Sequence, residues 1–216
     1  MGLAEYLQRT EDKKFILNKK DIIKFFDHRA NQWDLDLERD EEVIGWILDN
    51  AGVKAGLSVL DVACGTGVLI PDYLARDVST ITCVDISSKM VAIAREKFSQ
   101  ANIHFLCGDV ETITFPIQFD CIVIYNSFPH FSDPVHLINK LTTDLKPGGS
   151  LTVAHGMSRA KINQHHESGA STVSIPLLHE DELEKIFKSN LKVTNKISND
   201  RMYQVTGVKR KMSQEK

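Results

Sequence analysis

A short apolar run ending in two closely spaced glycines limits what this chain can fold into more than any other feature. Val59-Leu60-Asp61-Val62 is β-prone and leads into Ala63-Cys64-Gly65-Thr66-Gly67, after which Val68-Leu69 begins a helix-like pattern. Glycine at both turn positions lets the backbone come close to a ligand, because no Cβ stands in the way. The first N–H groups of the following helix point into the same space. Asp85 closes the next apolar run, Ile81-Thr82-Cys83-Val84, 20 residues after Gly65. That spacing suits a carboxylate accepting hydrogen bonds from the two hydroxyls of a ribose. The pattern describes a strand–turn–helix unit that holds a nucleoside-containing cofactor.

Two cofactors compete for it. Dinucleotide binding asks for Gly-x-Gly-x-x-Gly, and here the third position is Ile70, followed by Pro71. Asp61 lies four residues before Gly65, where a carboxylate would repel a pyrophosphate but suit a cationic amino-acid moiety. S-adenosylmethionine offers an ammonium and a sulfonium and carries no phosphate. A nucleotide-dependent oxidoreductase is therefore the disfavoured reading.

The segment Asp-Val-Ala-Cys-Gly-Thr-Gly (61–67) resembles the first motif of the class I S-adenosylmethionine-dependent methyltransferases. Val84-Asp85-Ile86-Ser87 with Met90 is similar to the second, and Cys107-Gly108-Asp109-Val110 to the third. Leu145-Lys146-Pro147-Gly148-Gly149-Ser150-Leu151 resembles the turn before the fifth strand, so four motifs stand in order over residues 56–156. The family often has glycine where this chain has Ala63. The resemblance implies that Asp61 and the 63–67 backbone (Ala63, Cys64, Gly65, Gly67) hold the methionine part and Asp85 the ribose. It assigns the adenine amino group to Asp109, beside Gly108, and the purine sandwich to Ile86, Met90 and Val110. Asn126, at the end of the fourth strand, joins the cofactor-binding set. The implied fold is a seven-stranded, mostly parallel Rossmann-like sheet with helices on both faces and an antiparallel C-terminal hairpin.

Composition narrows the rest. The chain has 216 residues, 42% hydrophobic and 25% charged, which is ordinary for a soluble globular domain with a substantial core. No run reaches the roughly 20 apolar residues of a membrane helix, and the N-terminus lacks the basic-then-apolar order of a secretory signal. Cys64, Cys83, Cys107 and Cys121 show no Cys-x-x-Cys spacing and read as buried free thiols of a cytoplasmic protein. A net charge of −3 argues against a general nucleic-acid binder, and the basic tail Lys209-Arg210-Lys211 reads as a solvated terminus.

Along the chain, residues 1–50 read as an N-terminal helical segment and 51–210 as the Rossmann-like domain. Residues 1–20 are charge-rich and form either a mobile helix or no fixed structure. Phe26-Asp27-x-x-Ala30-x-x-Trp33-Asp34 is similar to family segments that lie over the cofactor pocket, as a lid or a static cap. Helices are expected at 42–50, 67–76, from a Ser87 or Ser88 cap, near 134–145 and at 180–188. Strands are expected at 58–63, 80–84, 103–107, 119–125, 150–155, 191–197 and 201–208. Residues 156–174 read as a polar loop.

In an open α/β sheet, ligands gather beyond the carboxyl ends of the strands. The ends at 63–65, 85 and 108–109 serve the cofactor; those at 126–130 and 155–156 face the acceptor. Asn126-Ser127-Phe128-Pro129 lacks the paired prolines of methyltransferases acting on planar amino nitrogens, which favours a small-molecule acceptor over nucleic acid. Six of the eight histidines fall between 130 and 179. His130 and His155 end adjacent strands and are candidates for a general base. The loop that follows could bring His166 to them as a divalent-metal site. His136 and His179 read as structural. A non-catalytic S-adenosylmethionine-binding module, or a methyltransferase of proteins or nucleic acids, is the alternative function. The acceptor's identity and the oligomeric state are not written in the sequence.

Overall fold

The computed structural model describes residues 17–211; the expectations for residues 1–16 lie outside the described residues. Helix α1 (Lys19–Trp33) opens on an Asn18 cap, and α2 (Glu41–Asn50) on an Asp40 side chain that accepts from the Val43 amide. Strands and helices then alternate: β1 (Ser58–Val62), α3 (Ile70–Ala75), β2 (Thr80–Asp85), α4 (Ser88–Lys97), β3 (Ile103–Cys107) and β4 (Phe119–Tyr125). After a 3-10 turn at Phe128–His130 come α5 (Pro134–Thr143), β5 (Leu145–His155), α6 (Arg159–Gly169), α7 (Glu180–Lys188), β6 (Leu191–Ser198) and β7 (Tyr203–Lys209). Ser87 caps α4 by accepting from the Met90 amide, and His179 with Glu182 forms a capping box at α7.

The seven strands form one sheet in the order β3-β2-β1-β4-β5-β7-β6, with only β7 antiparallel to its neighbours. Strand order reverses between β1 and β4, so a crevice opens at their carboxyl ends. Residues alternate across the sheet into two apolar layers. Leu60, Val62, Ile122 and Ile124 face one layer, and Val59, Cys83, Cys121 and Val123 the other. Leu17 and Ile22 join the first layer, while Ile44, Leu48, Ala51 and Val53 join the second, so the N-terminal helices pack directly on the sheet's own core.

Four expectations need correction. The polar stretch after β5 is not a loop: Ser158 caps α6, whose single buried residue is Ile162, and a helix without an apolar stripe leaves no 3.6-residue signal. The helix after the glycine turn is shorter than expected, Ile70–Ala75, because Gly65 and Gly67 hold positive φ angles of 56° and 85° that no helix tolerates. Strand β5 begins at Leu145, five residues earlier than its apolar run. All four cysteines are free, but Cys107 is exposed at the edge of the sheet.

Candidate active site

A narrow cavity of about 100 Å³ opens in the crevice between β1 and β4, where ligands of open α/β sheets gather. Its floor on one side is the turn after β1, Ala63, Cys64 and Gly65, with Asp85, Ile86 and Met90 from β2 and α4. The other side is Tyr125, Asn126, Ser127, His130 and Phe131, all from β4 and the turn that follows it. Helix α1 roofs both with Lys19, Ile22, Phe26 and Trp33.

The turn is locally strained, as turns at ligand sites often are. Ala63 has φ 53° and Asn126 φ 52°, so the two central strands both end in the left-handed region. At 63 a glycine would adopt this backbone without a Cβ penalty. A Cβ on Gly67 would lie 2.8 Å from both Ile70 Cδ1 and a Phe98 ring carbon, which restricts that position to glycine.

Asp85 organises the cofactor side. Its Oδ2 accepts from the Gly65 amide at 2.8 Å and its Oδ1 from the Ser87 amide at 2.8 Å, which aims the carboxylate at the cavity. Burial pushes its pKa up to about 6 despite these bonds. Asp61 behaves differently. It is buried in the layer that holds Cys83 and Val123, beneath the turn rather than in the cavity lining, and its Oδ2 has no partner. Burial, and then the charge of Asp85, push it up to about 8.

Asp109 pairs with Lys19 of the cavity roof, which also reaches Glu111 at 2.8 Å. Gly108, Asp109 and Val110 do not line the cavity, and Val110 sits in the apolar layer against which Ile86 packs. Ser87 Oγ donates to Asp27 on α1 at 2.6 Å, and Lys97 pairs with Asp34 at 2.7 Å. The roof is thus tied to the cofactor-side loops along its whole length. Asp27 and Lys19 in these ties escaped sequence reasoning, since nothing local marks a charge as a long-range clamp.

On the acceptor side, His130 Nδ1 lies 2.8 Å from the Val173 carbonyl. A carbonyl only accepts, so Nδ1 carries the proton and Nε2 presents its lone pair. Nε2 has no hydrogen-bond partner among the described residues. Burial holds the imidazole neutral, with its pKa lowered to about 4. The ring stands edge-on to Phe26, 4.9 Å between centroids, and 5.2 Å from the His166 ring on α6. His155 is fully buried, does not line the cavity, and has no partner for either ring nitrogen. Burial lowers its pKa to about 3. The metal expectation over His130, His155 and His166 is corrected: among the described residues no three His, Cys, Asp or Glu side chains are arranged to hold an ion. His130 has committed one nitrogen to a carbonyl. His179 is the α7 cap and His136 is exposed on α5, as structural roles require. Asn126 Oδ1 accepts from the Gly156 amide at 3.0 Å and joins the ends of β4 and β5. Ser127 lies in the 126–130 strand end already expected to face the acceptor, whereas Tyr125 and Phe131 line that side without any motif having pointed to them.

Comparison with known proteins agrees with this geometry. A family model described as a methyltransferase domain matches residues 59–149, the span from β1 into β5 that builds this crevice. Together with the fold, this match supports a class I, Rossmann-like S-adenosylmethionine-dependent methyltransferase. It is 31% identical over 166 residues to a malonyl-[acyl-carrier protein] O-methyltransferase of Acetivibrio thermocellus, covering 74% of this chain and 58% of that protein. It is 36% identical over 99 residues to a ubiquinone biosynthesis O-methyltransferase of Coxiella burnetii, covering 44% of this chain and 42% of that one. The chain thus spans about half the length of the curated relatives it matches. In fold it is similar to the Bradyrhizobium japonicum N-methyltransferase NodS in complex with S-adenosyl-L-homocysteine, with TM-score 0.68, 14% identity, and 87% and 97% of the two chains covered.

The residues present fit the methyltransferase cofactor. Asp85 offers an acceptor to a ribose, Ile86 and Met90 offer apolar faces to a purine, and the Gly65 turn leaves room for close backbone approach. No helix among the described residues is long and apolar enough to cross a membrane.

Proposed function

We propose that this methyltransferase acts on a small, uncharged acceptor whose nucleophilic atom carries a proton, and that His130 removes the proton. One observation carries the reading: a neutral imidazole, its tautomer fixed by the Val173 carbonyl, faces the same cavity as the cofactor turn. Bound S-adenosylmethionine would supply a methyl group already activated by its sulfonium. The work left to the chain is alignment and deprotonation. Phe26, Tyr125 and Phe131 give the acceptor side flat apolar walls, and α1 covers the cavity from above.

The absence of a free cation favours a neutral acceptor over a carboxylate. Lys19 is the one cationic side chain lining the cavity among the described residues, and it is committed to Asp109 and Glu111. A carboxylate acceptor would enter without a counter-charge, which is costly in an apolar site. Phenols, alcohols and thiols meet no such cost. The experiment is methyl transfer from S-adenosylmethionine to matched phenol, thiol and carboxylate panels, with wild type and His130→Ala. Phenols or thiols should be methylated, and the variant should lose about 10²- to 10⁴-fold in turnover while keeping cofactor affinity. Because His130 is held neutral, the wild-type rate at saturating S-adenosylmethionine should stay level from pH 8 to about 5 and fall towards pH 4. Preference for carboxylates, or an unimpaired variant, contradicts the reading.

A further inference from the structure

Beneath the cofactor turn lies a polar cluster to which neither cavity lining nor packing gives a role. Asp61 Oδ2 and the Tyr73 hydroxyl are both fully buried without a well-formed hydrogen bond, and the neighbouring hydroxyl offsets only part of the cost of burying the Asp61 charge. The groups around them are Cys64 on the turn, Cys83 on β2, Tyr73 and Asp72 on α3, Asp85 at the end of β2 and Cys121 on β4. None of these carries a positive charge. Arg39, which reaches the cluster at Asp72 (2.9 Å), is shared with Glu41. Of the cluster, Cys64 and Asp85 also line the cavity, so the cluster touches the space that the cofactor enters.

A carboxylate cannot keep a charge in such a place. Without a cation or a full set of donors, a buried acid takes up a proton instead. Asp85 shows the contrast, since two backbone amides support its charge. We infer that Asp61 is protonated in the ligand-free protein and gives its proton to solvent when the cationic amino-acid end of the cofactor settles over the 63–67 turn. The inference rests on the assignment of this cavity to S-adenosylmethionine. The incoming ammonium provides the counter-charge that the protein leaves out, and the carboxylate is the form that attracts it. Cofactor capture is then coupled to release of one proton, and affinity rises with pH until Asp61 is ionised in the free protein as well. Below that point each pH unit costs about tenfold in affinity. Groups that only read the adenosine part are indifferent to this switch.

The test is calorimetric titration at pH 7 in phosphate and in Tris, whose ionisation heats differ, using S-adenosylhomocysteine and 5′-methylthioadenosine. The second ligand shares the adenosine but lacks the amino-acid end. Wild type should release close to one proton with S-adenosylhomocysteine and essentially none with methylthioadenosine, and Asp61→Asn should release none with either. An infrared difference spectrum of the wild type provides the same answer should that variant not fold: a protonated-carboxyl band should disappear on binding. Binding without proton release, equal release by both ligands, or undiminished release by Asp61→Asn overturns the proposal. Failure of S-adenosylhomocysteine to bind at all overturns instead the assignment of the cavity on which it rests.

Discussion

The two sides of the cavity were built under different rules. The cofactor side comes from two short, contiguous segments, 61–67 and 84–90, each a strand end followed by a turn and a helix start. The acceptor side comes from residues far apart: Phe26 and Trp33 on α1, Tyr125 to Phe131 after β4, and the carbonyl of Val173, which fixes His130 from a segment beyond α6. A ligand shared by a whole family can be held by local backbone geometry, and local geometry leaves a readable motif. A ligand peculiar to one protein is met by long-range assembly, and that leaves almost none.

The first way to break this comparison is at Asp85, where the largest effect is expected. Its two oxygens position the Gly65 and Ser87 amides as well as offering acceptors to a ribose. Asp85→Ala should weaken S-adenosylhomocysteine binding by about ten- to a hundredfold, from roughly 1.5–3 kcal/mol of lost hydrogen bonding to a charged group. Isothermal titration measures this, and undiminished affinity would mean that the cofactor side is not organised as described.

A smaller effect is expected at His155, which sharpens the contrast from the acceptor side. Its folded pKa lies below the ordinary histidine value, so between about pH 6.5 and 3 the unfolded chain binds a proton that the native state refuses. Stability from this group is therefore present above pH 6.5 and is lost as the pH falls. Lowering the pH from 7.5 to 5 should cost the wild type about 2 kcal/mol through His155, and His155→Leu should not show that part of the loss. Urea midpoints at the two pH values, compared between the proteins, check it. His130 and His166 shift in the same direction, while Asp61 and Asp85 shift in the opposite sense and gain stability on acidification. The variant difference therefore isolates the histidine where the wild-type curve alone does not.

The smallest effect concerns the roof that both sides share. Helix α1 is tied through Lys19 to Asp109 and Glu111 and through Asp27 to Ser87, all beside the cofactor motifs. Binding of S-adenosylhomocysteine should slow amide exchange across residues 21–34 several-fold, as for an element that opens to admit ligand. Unchanged exchange would make α1 a static cap.

How far the sequence was legible follows the same division. Strands β3 and β4 and helix α7 have the bounds that their apolar patterns predict, and the antiparallel final pair was evident from its tight-turn composition. Helix α6 was invisible because its polar surface carries no periodicity, although the sequence already grouped His166 with His130, whose rings lie 5.2 Å apart. His130 itself was picked out by its place at a strand end. Its tautomer and its neutral state were not, because both depend on a carbonyl 43 residues away and on burial. His155 was picked by the same logic, yet the sheet turns it into the interior, where it pairs in register with Tyr203 of β7. Strand ends are legible; which way the last side chain faces is decided by the elements that pack over it.

The most direct measurement is a crystal structure of the protein with S-adenosylhomocysteine. The ribose should lie on Asp85, the purine between Ile86 and Met90, and the sulfur should face His130 Nε2 across the open space lined by Phe26 and Phe131. A sulfur turned away from His130, or an adenine lying against that imidazole, would contradict it.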